Sequence, residues 1–99
     1  MAYTIEFAES VKAQLQSLTA AERAKIFDSI ERHLTHEPFI ETKNRKPLRP
    51  NPVAPWELRL GALRVFYDVV SDDPNVVRIL AVGKKKGSKL IIEDKVIEL

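Results

Sequence analysis

Glu57, Arg59 and Arg64 lie close together in the stretch WELRLGALRVFY, Trp56 to Tyr67, and their types suit phosphate chemistry. A guanidinium offers a planar fork that grips two phosphate oxygens, and a carboxylate can orient a guanidinium or accept a proton. The spacing predicts a β-hairpin. Trp56, Leu58 and Leu60 alternate with Glu57 and Arg59. After a Gly61-Ala62 connection, Leu63, Val65 and Tyr67 alternate with Arg64, Phe66 and Asp68. Cross-strand neighbours on one face stand about 5 Å apart, so one carboxylate and two guanidiniums can converge on a single phosphate.

Further positive charge comes from two places. Gly83-Lys84-Lys85-Lys86-Gly87-Ser88 reads as a basic, glycine-flanked turn. The segment Glu37 to Pro55 carries Lys43, Arg45, Lys46 and Arg49, with His36 at its upstream edge. Six phosphate contacts would make affinity fall by roughly 10³ between about 50 and 200 mM salt. The competing reading is of ordinary solvated charge, since a lysine run at a hairpin also protects a sheet edge. Glu57 is either a general base or the ion-pair partner of Arg59 or Arg64, and a flanking arginine weakens a carboxylate as a base. His33 and His36, at i and i+3, suit the cationic end of a helix better than a metal, since no further ligand pattern accompanies them. Trp56 alternates with Leu58 and Leu60 and belongs with the core. No Walker loop, nucleophile elbow or dinucleotide fingerprint is present, and the residues call for no metal or cofactor.

The elements that must position these groups follow from periodicity. Tyr3, Ile5 and Phe7 predict a first strand. Val11, Leu15 and Leu18 predict a helix ending near Ser17-Leu18, with Lys12, Gln14 and Gln16 turned away from the core. Thr19 and Glu22 have capping-box spacing, opening a second helix with Ile26, Phe27, Ile30 and Leu34 as its apolar stripe; Pro38 marks its far limit. Pro38, Pro47, Pro50, Pro52 and Pro55 make the next segment an extended connection that is barred from a central ladder. Strands are then expected at Leu63 to Val70, Val76 to Val82, Lys89 to Ile92 and Lys95 to Leu99, with a turn at Ser71 to Asn75. Helices first and strands afterwards predict an α+β fold: an N-terminal strand and an αα-hairpin on one face of a mostly antiparallel sheet, the other face being free to be polar.

The chain of 99 residues is expected to form one domain spanning residues 1–99, with room for a single core. Its 44% hydrophobic and 30% charged residues are those of a soluble globular protein. No cysteine is present, which removes disulfide and thiolate chemistry. Without an apolar leader or a run long enough to span a bilayer, the default expectation is a cytoplasmic protein with no membrane partner. A net charge of +2 is too mild to diagnose nucleic-acid binding by itself.

With WELRLGALRVFYDV followed by RILAVGKKK, the chain resembles the RelE/ParE superfamily of bacterial toxin-antitoxin toxins over nearly its whole length. The resemblance implies a RelE-like fold, a cognate antitoxin as partner and, in the RelE branch, ribosome-dependent cleavage of messenger RNA that inhibits translation without a metal. There the ribose 2′-hydroxyl attacks the adjacent phosphate while basic residues stabilise the transition state. Carried over by position, Arg59 corresponds to a strand residue that holds the RNA backbone, Arg64 to the arginine at the scissile phosphate, and Lys85 to the basic residue after the Val-Gly step. Glu57 stands where the best-studied branch has lysine, and other branches use a glutamate catalytically. The catalytic set is thus Glu57, Arg59, Arg64 and Lys85, with Lys43, Arg45, Lys46, Arg49, Lys84 and Lys86 as RNA contacts. Ile91 falls where the best-studied branch has a catalytic tyrosine. The alternatives are a ParE-like inhibitor of DNA gyrase and an inactive domain that binds RNA or an antitoxin.

Overall fold

A computed structural model describes residues 2–70 and 72–97 of the chain. Its elements, in order, are β1 (Thr4–Phe7), α1 (Glu9–Gln16), α2 (Ala20–Leu34), β2 (Arg45–Pro47), β3 (Trp56–Leu60), β4 (Leu63–Val70), β5 (Asp73–Lys86), β6 (Lys89–Ile92) and β7 (Lys95–Ile97). The strands form one sheet in the order β2-β3-β4-β5-β6-β7, with β1 parallel to the first part of β5. All other pairings are antiparallel, and both helices lie on one face, so the α+β arrangement is as expected.

Local chemistry sets the boundaries of these elements. The capping box forms: the Glu22 N–H donates to Thr19 Oγ1 at 3.1 Å, and the Thr19 N–H donates to Glu22 Oε1 at 2.8 Å. Gly61 turns β3 into β4 at φ 63°, a left-handed value that costs glycine little. The turn between β6 and β7 has no such help, since Glu93 and Asp94 take φ 51° and 65°.

The main core packs Val11, Leu18, Ile26, Ile30 and Leu34 of the helical layer against Leu58, Val65, Tyr67, Val77, Ile79 and Val82 of the sheet. Two helix assignments change. Gln14 is buried rather than turned away, its Oε1 accepting the Val82 N–H at 2.9 Å, which satisfies a strand donor inside the core. Phe27 leaves the stripe and is 46% exposed, packed edge-to-face on Phe7 at 5.8 Å. It lies about 100° round the helix from Ile26, whose i+4 successors Ile30 and Leu34 carry the stripe.

The second sheet face is not simply polar. Phe66, Ala81, Leu90, Ile92 and Ala54 form a smaller buried cluster there, joined by Leu48, Val53, Leu80 and Ile97. A register shift between Phe66 and Tyr67 pairs them with Ala81 and Ile79, leaving Leu80 as the extra residue. Such a bulge puts consecutive residues on one face, and both Leu80 and Ala81 belong to this cluster.

Both boundaries of β5 also move. The strand begins at Asp73 and runs through Gly83 to Lys86, so the expected turn at Ser71 to Asn75 loses Asp73 to Asn75 to the strand, and that at Gly83 to Ser88 is reduced to Gly87-Ser88. Of the former, Ser71 is outside the described residues; of the last expected strand, Glu98 and Leu99 are. The proline-rich segment carries β2 at the edge of the sheet, where Pro47 removes no interior hydrogen bond.

Candidate functional site: a clamped arginine pair on the open sheet face

The β3–β4 register places Arg59 directly opposite Arg64, with Glu57 two residues before Arg59 on the same face. The glutamate is buried, at 2% exposure. Its Oε2 accepts from Arg59 Nε at 2.9 Å, and its Oε1 lies 3.2 Å from Arg64 Nε. The second contact is an ion pair set off the N–H direction, because Arg64 Nε has no aligned hydrogen-bond acceptor. Arg64 is held instead through Nη1, which donates to the carbonyls of Gly61 and Leu63. The side chain of Arg59 is half exposed and that of Arg64 mostly buried.

Asn44 frames Arg59, a role with no sequence signal. Its carbonyl accepts the Arg59 N–H at 2.8 Å, and its Nδ2 donates to the Arg59 carbonyl at 2.9 Å. The backbone that carries Arg59 is therefore held beyond the end of β2.

The lysine run divides because it is strand. Arg64 pairs with Gly83, so Lys85 follows on the face of Arg59 and Arg64. Its N–H donates to the Ala62 carbonyl at 2.7 Å, tying β5 to the tip of the β3–β4 hairpin. Lys84 turns the other way, and its Nζ meets Glu22 Oε2 at 2.7 Å. The hydrogen bond from Lys84, followed by that from the Thr19 N–H, holds the Glu22 carboxyl below its ordinary pKa. By alternation Lys86 shares the side of Lys84. The expectation that all three lysines form one patch is thus corrected to one lysine on the Glu57 face and two on the helical side.

The proline-rich segment also divides. Arg45 is buried, donating from Nε to the Ile40 carbonyl at 2.9 Å and from Nη1 to the His33 carbonyl at 2.8 Å. These bonds make it an internal tie between α2 and the loop, in place of the RNA contact expected of it. Lys46 is paired across the strands with Glu57 and reaches Glu41 Oε2 at 3.4 Å. Lys43 and Arg49 are exposed. One cation was not anticipated: Lys25 of α2 brings its Nζ within 3.7 Å of where a Cβ on Gly61 would stand. In sequence it is one of many polar residues on an amphipathic helix.

Proton-transfer groups are sparse around Glu57. Tyr67 faces the main core, where its hydroxyl donates to the Pro38 carbonyl and burial raises its pKa well above the ordinary phenol range. Ile91 pairs with Lys84 and shares that residue's side, away from Arg64 and Lys85. His33 is half-buried, with a pKa lowered first by burial and then by the charges of Arg45 and Arg32. Among the described residues, no group of three or more His, Cys, Asp or Glu is arranged to hold a metal. Trp56 is stacked on Tyr67 at 6.2 Å and packs edge-on against Phe39 at 5.8 Å, so its ring is engaged within the protein. No helix among the described residues is long and apolar enough to cross a membrane.

No family model matches the sequence, and no curated protein matches it significantly. Solved structures do. The toxin-antitoxin complex RelBE2 from Mycobacterium tuberculosis contains a chain 25% identical, matched over 86% of this chain and 100% of its own, at a TM-score of 0.71. The archaeal RelE-RelB complex from Pyrococcus horikoshii gives 29% identity over 89% and 99% of the two chains, at 0.66. The isolated E. coli RelE toxin gives 26% identity over 87% of each chain, at 0.67. The hairpin motif, the helical pair on a mostly antiparallel sheet and these neighbours agree: the chain is RelE-like, with the fold of the RelE toxins.

Proposed function

We propose that this protein is the toxin of a toxin-antitoxin module and acts as a ribosome-dependent mRNA endonuclease that needs no metal. The observation that carries the reading is the convergence of Arg59, Arg64 and Lys85 on one sheet face, in a chain whose structural neighbours are RelE toxins. In the proposed reaction the ribose 2′-oxygen attacks the adjacent phosphorus, and its proton is lost. The bond to the 5′-oxygen of the next nucleotide breaks, that oxygen takes a proton from water to leave as a hydroxyl, and a 2′,3′-cyclic phosphate remains. Charge grows on the phosphoryl oxygens during the attack, and fixed cations stabilise it without reorganising. Arg64, immobilised through the Gly61 and Leu63 carbonyls, is assigned to the scissile phosphate. Arg59 and Lys85 hold the backbone beside it, with Lys43, Lys46 and Arg49 as outlying contacts.

The cognate partner in this reading is a small antitoxin, as the complexes of the neighbours suggest. An acidic, amphipathic segment that folds on binding would neutralise the arginines and cover apolar surface. A second reading, gyrase inhibition through the same surface, is favoured by one observation: neither Tyr67 nor Ile91 supplies a proton-transfer group beside Glu57. Purified ribosomes carrying a defined message separate the two. Wild type is expected to cut the message in the A site, with Arg64→Ala slower by roughly 10²–10³-fold. An intact message together with inhibited DNA supercoiling would select the gyrase reading.

A further inference from the structure

We propose that Glu57 is a positioning residue: its buried carboxylate sets Arg59 and Arg64 side by side as a phosphate receptor, and does not accept the proton in cleavage. The inference rests on the functional reading above and assigns the carboxylate's role within it. Arg59 and Arg64 face each other across the strands, where like charges repel. Glu57 resolves this by meeting the Nε of each, at 2.9 and 3.2 Å. Because it engages Arg59 only at Nε, the outer Nη edge of that guanidinium remains directed away from the carboxylate. Among the described residues, those Nη groups donate to no protein acceptor. That edge is the one suited to bidentate contact with an incoming phosphate.

The same geometry argues against proton acceptance. Both oxygens of Glu57 face guanidiniums, and its side chain is 3% exposed. A ribose hydroxyl would have to displace an arginine to reach either oxygen. Protonation would also remove the one anion that, among the described residues, meets both of the opposed cations, just as the transition state needs both held still. The arrangement is therefore a relay in which the carboxylate fixes the guanidiniums and the guanidiniums face the phosphate. The 2′-hydroxyl proton then passes to water.

Glu57→Gln, Arg59→Ala and the double variant test this together. The glutamine amide turns a donor towards one of the two Nε–H groups, so the clamp is lost with little change in shape. In wild type, NMR is expected to show the Arg59 Nε–H exchanging slowly with water, and Glu57→Gln should bring it into fast exchange. Affinity for a 2′-O-methyl RNA, which cannot be cleaved, should fall about tenfold in Glu57→Gln, with little further loss when Arg59→Ala is already present. The pH profile of single-turnover cleavage should keep its shape. Unchanged Nε–H exchange with unchanged RNA affinity would overturn the proposal. So would loss of the acid limb of the profile at wild-type affinity, the signature of a base. If wild type neither binds nor cuts RNA, the functional reading fails, yet the exchange measurement still decides whether Glu57 holds the arginines. Glu57→Asp keeps the charge but shortens the reach, and it carries the same expectations if the glutamine variant does not fold.

Discussion

Gly83→Ala adds a single methyl group and should be among the most damaging small changes in the sheet. A Cβ at Gly83 would stand 2.5 Å from the Ile91 carbonyl oxygen and 2.8 Å from Ile92 Cγ1. The first obstacle is backbone, so no rotamer change relieves it, and β6 must move by several tenths of an ångström at least. That strand carries Leu90 and Ile92, which cover Phe66 and Ala81 in the second cluster. Overpacking costs about 1–3 kcal/mol where side chains can give way, and a backbone obstacle belongs at the upper end. At roughly 4–8 °C per kcal/mol for a domain of this size, a cost of about 3 kcal/mol lowers Tm by roughly 12–24 °C. Gly87→Ala is the control, because its φ of 61° is left-handed but nothing lies within 4 Å of an added Cβ. It should cost only the backbone strain, about 1 kcal/mol, or roughly 4–8 °C. Thermal unfolding followed by circular dichroism compares the two, and hydrogen exchange at Leu90 locates the damage. A Gly83→Ala loss no larger than that of Gly87→Ala would refute the packing argument.

Other substitutions separate structural from phosphate-facing polar groups. Gln14→Ala should cost about 1–3 kcal/mol in urea unfolding, because it orphans the buried Val82 N–H. Arg45→Met keeps the apolar stem but removes the bonds to Ile40 and His33; it should lower stability by about 2–3 kcal/mol while the salt dependence of RNA binding keeps its slope. Arg59→Ala should reduce that slope by about one, and because it takes from the buried Glu57 carboxylate its aligned donor it should also cost about 1–3 kcal/mol in unfolding. For pH, burial holds His33 below its free value of 6.5, so the unfolded chain takes up a proton there first. Its contribution to stability is complete above pH 6.5 and declines as the pH falls below that value, a decline that His33→Gln should remove.

The elements easiest to read in the sequence were those whose stabilising contacts are local or periodic. Alternation from Trp56 to Tyr67 gave β3 and β4, and the Thr19–Glu22 spacing gave the start of α2. Distant pairing decided what was missed. Gln14 looked solvated because its partner, Val82, is remote in sequence and only the fold brings them together. The lysine run read as a turn because of its charge and flanking glycines. A backbone ladder with β6 is indifferent to that charge, and the pleat sends alternate lysines to opposite faces. The extra residue Leu80 has no local signature, yet its bulge lets the second face build an apolar cluster where polarity was expected. For the site, the cross-strand neighbours Arg59 and Arg64 followed from alternation. The burial of Glu57 between them, the internal use of Arg45 and the bracing by Asn44 depended on partners in other strands and loops.

The central claim is that the Arg59, Arg64 and Lys85 face cleaves messenger RNA on the ribosome. Mapping transcript 5′ ends across a cell after brief induction of the wild-type chain tests it most directly, with the Arg59→Ala/Arg64→Ala/Lys85→Ala triple variant as the comparison. Wild type should create new ends in phase with the reading frame within translated regions, and the triple variant, folded by circular dichroism, should create none. Growth arrest by wild type with no new transcript ends, or in-frame cleavage that persists in the triple variant, would contradict the account.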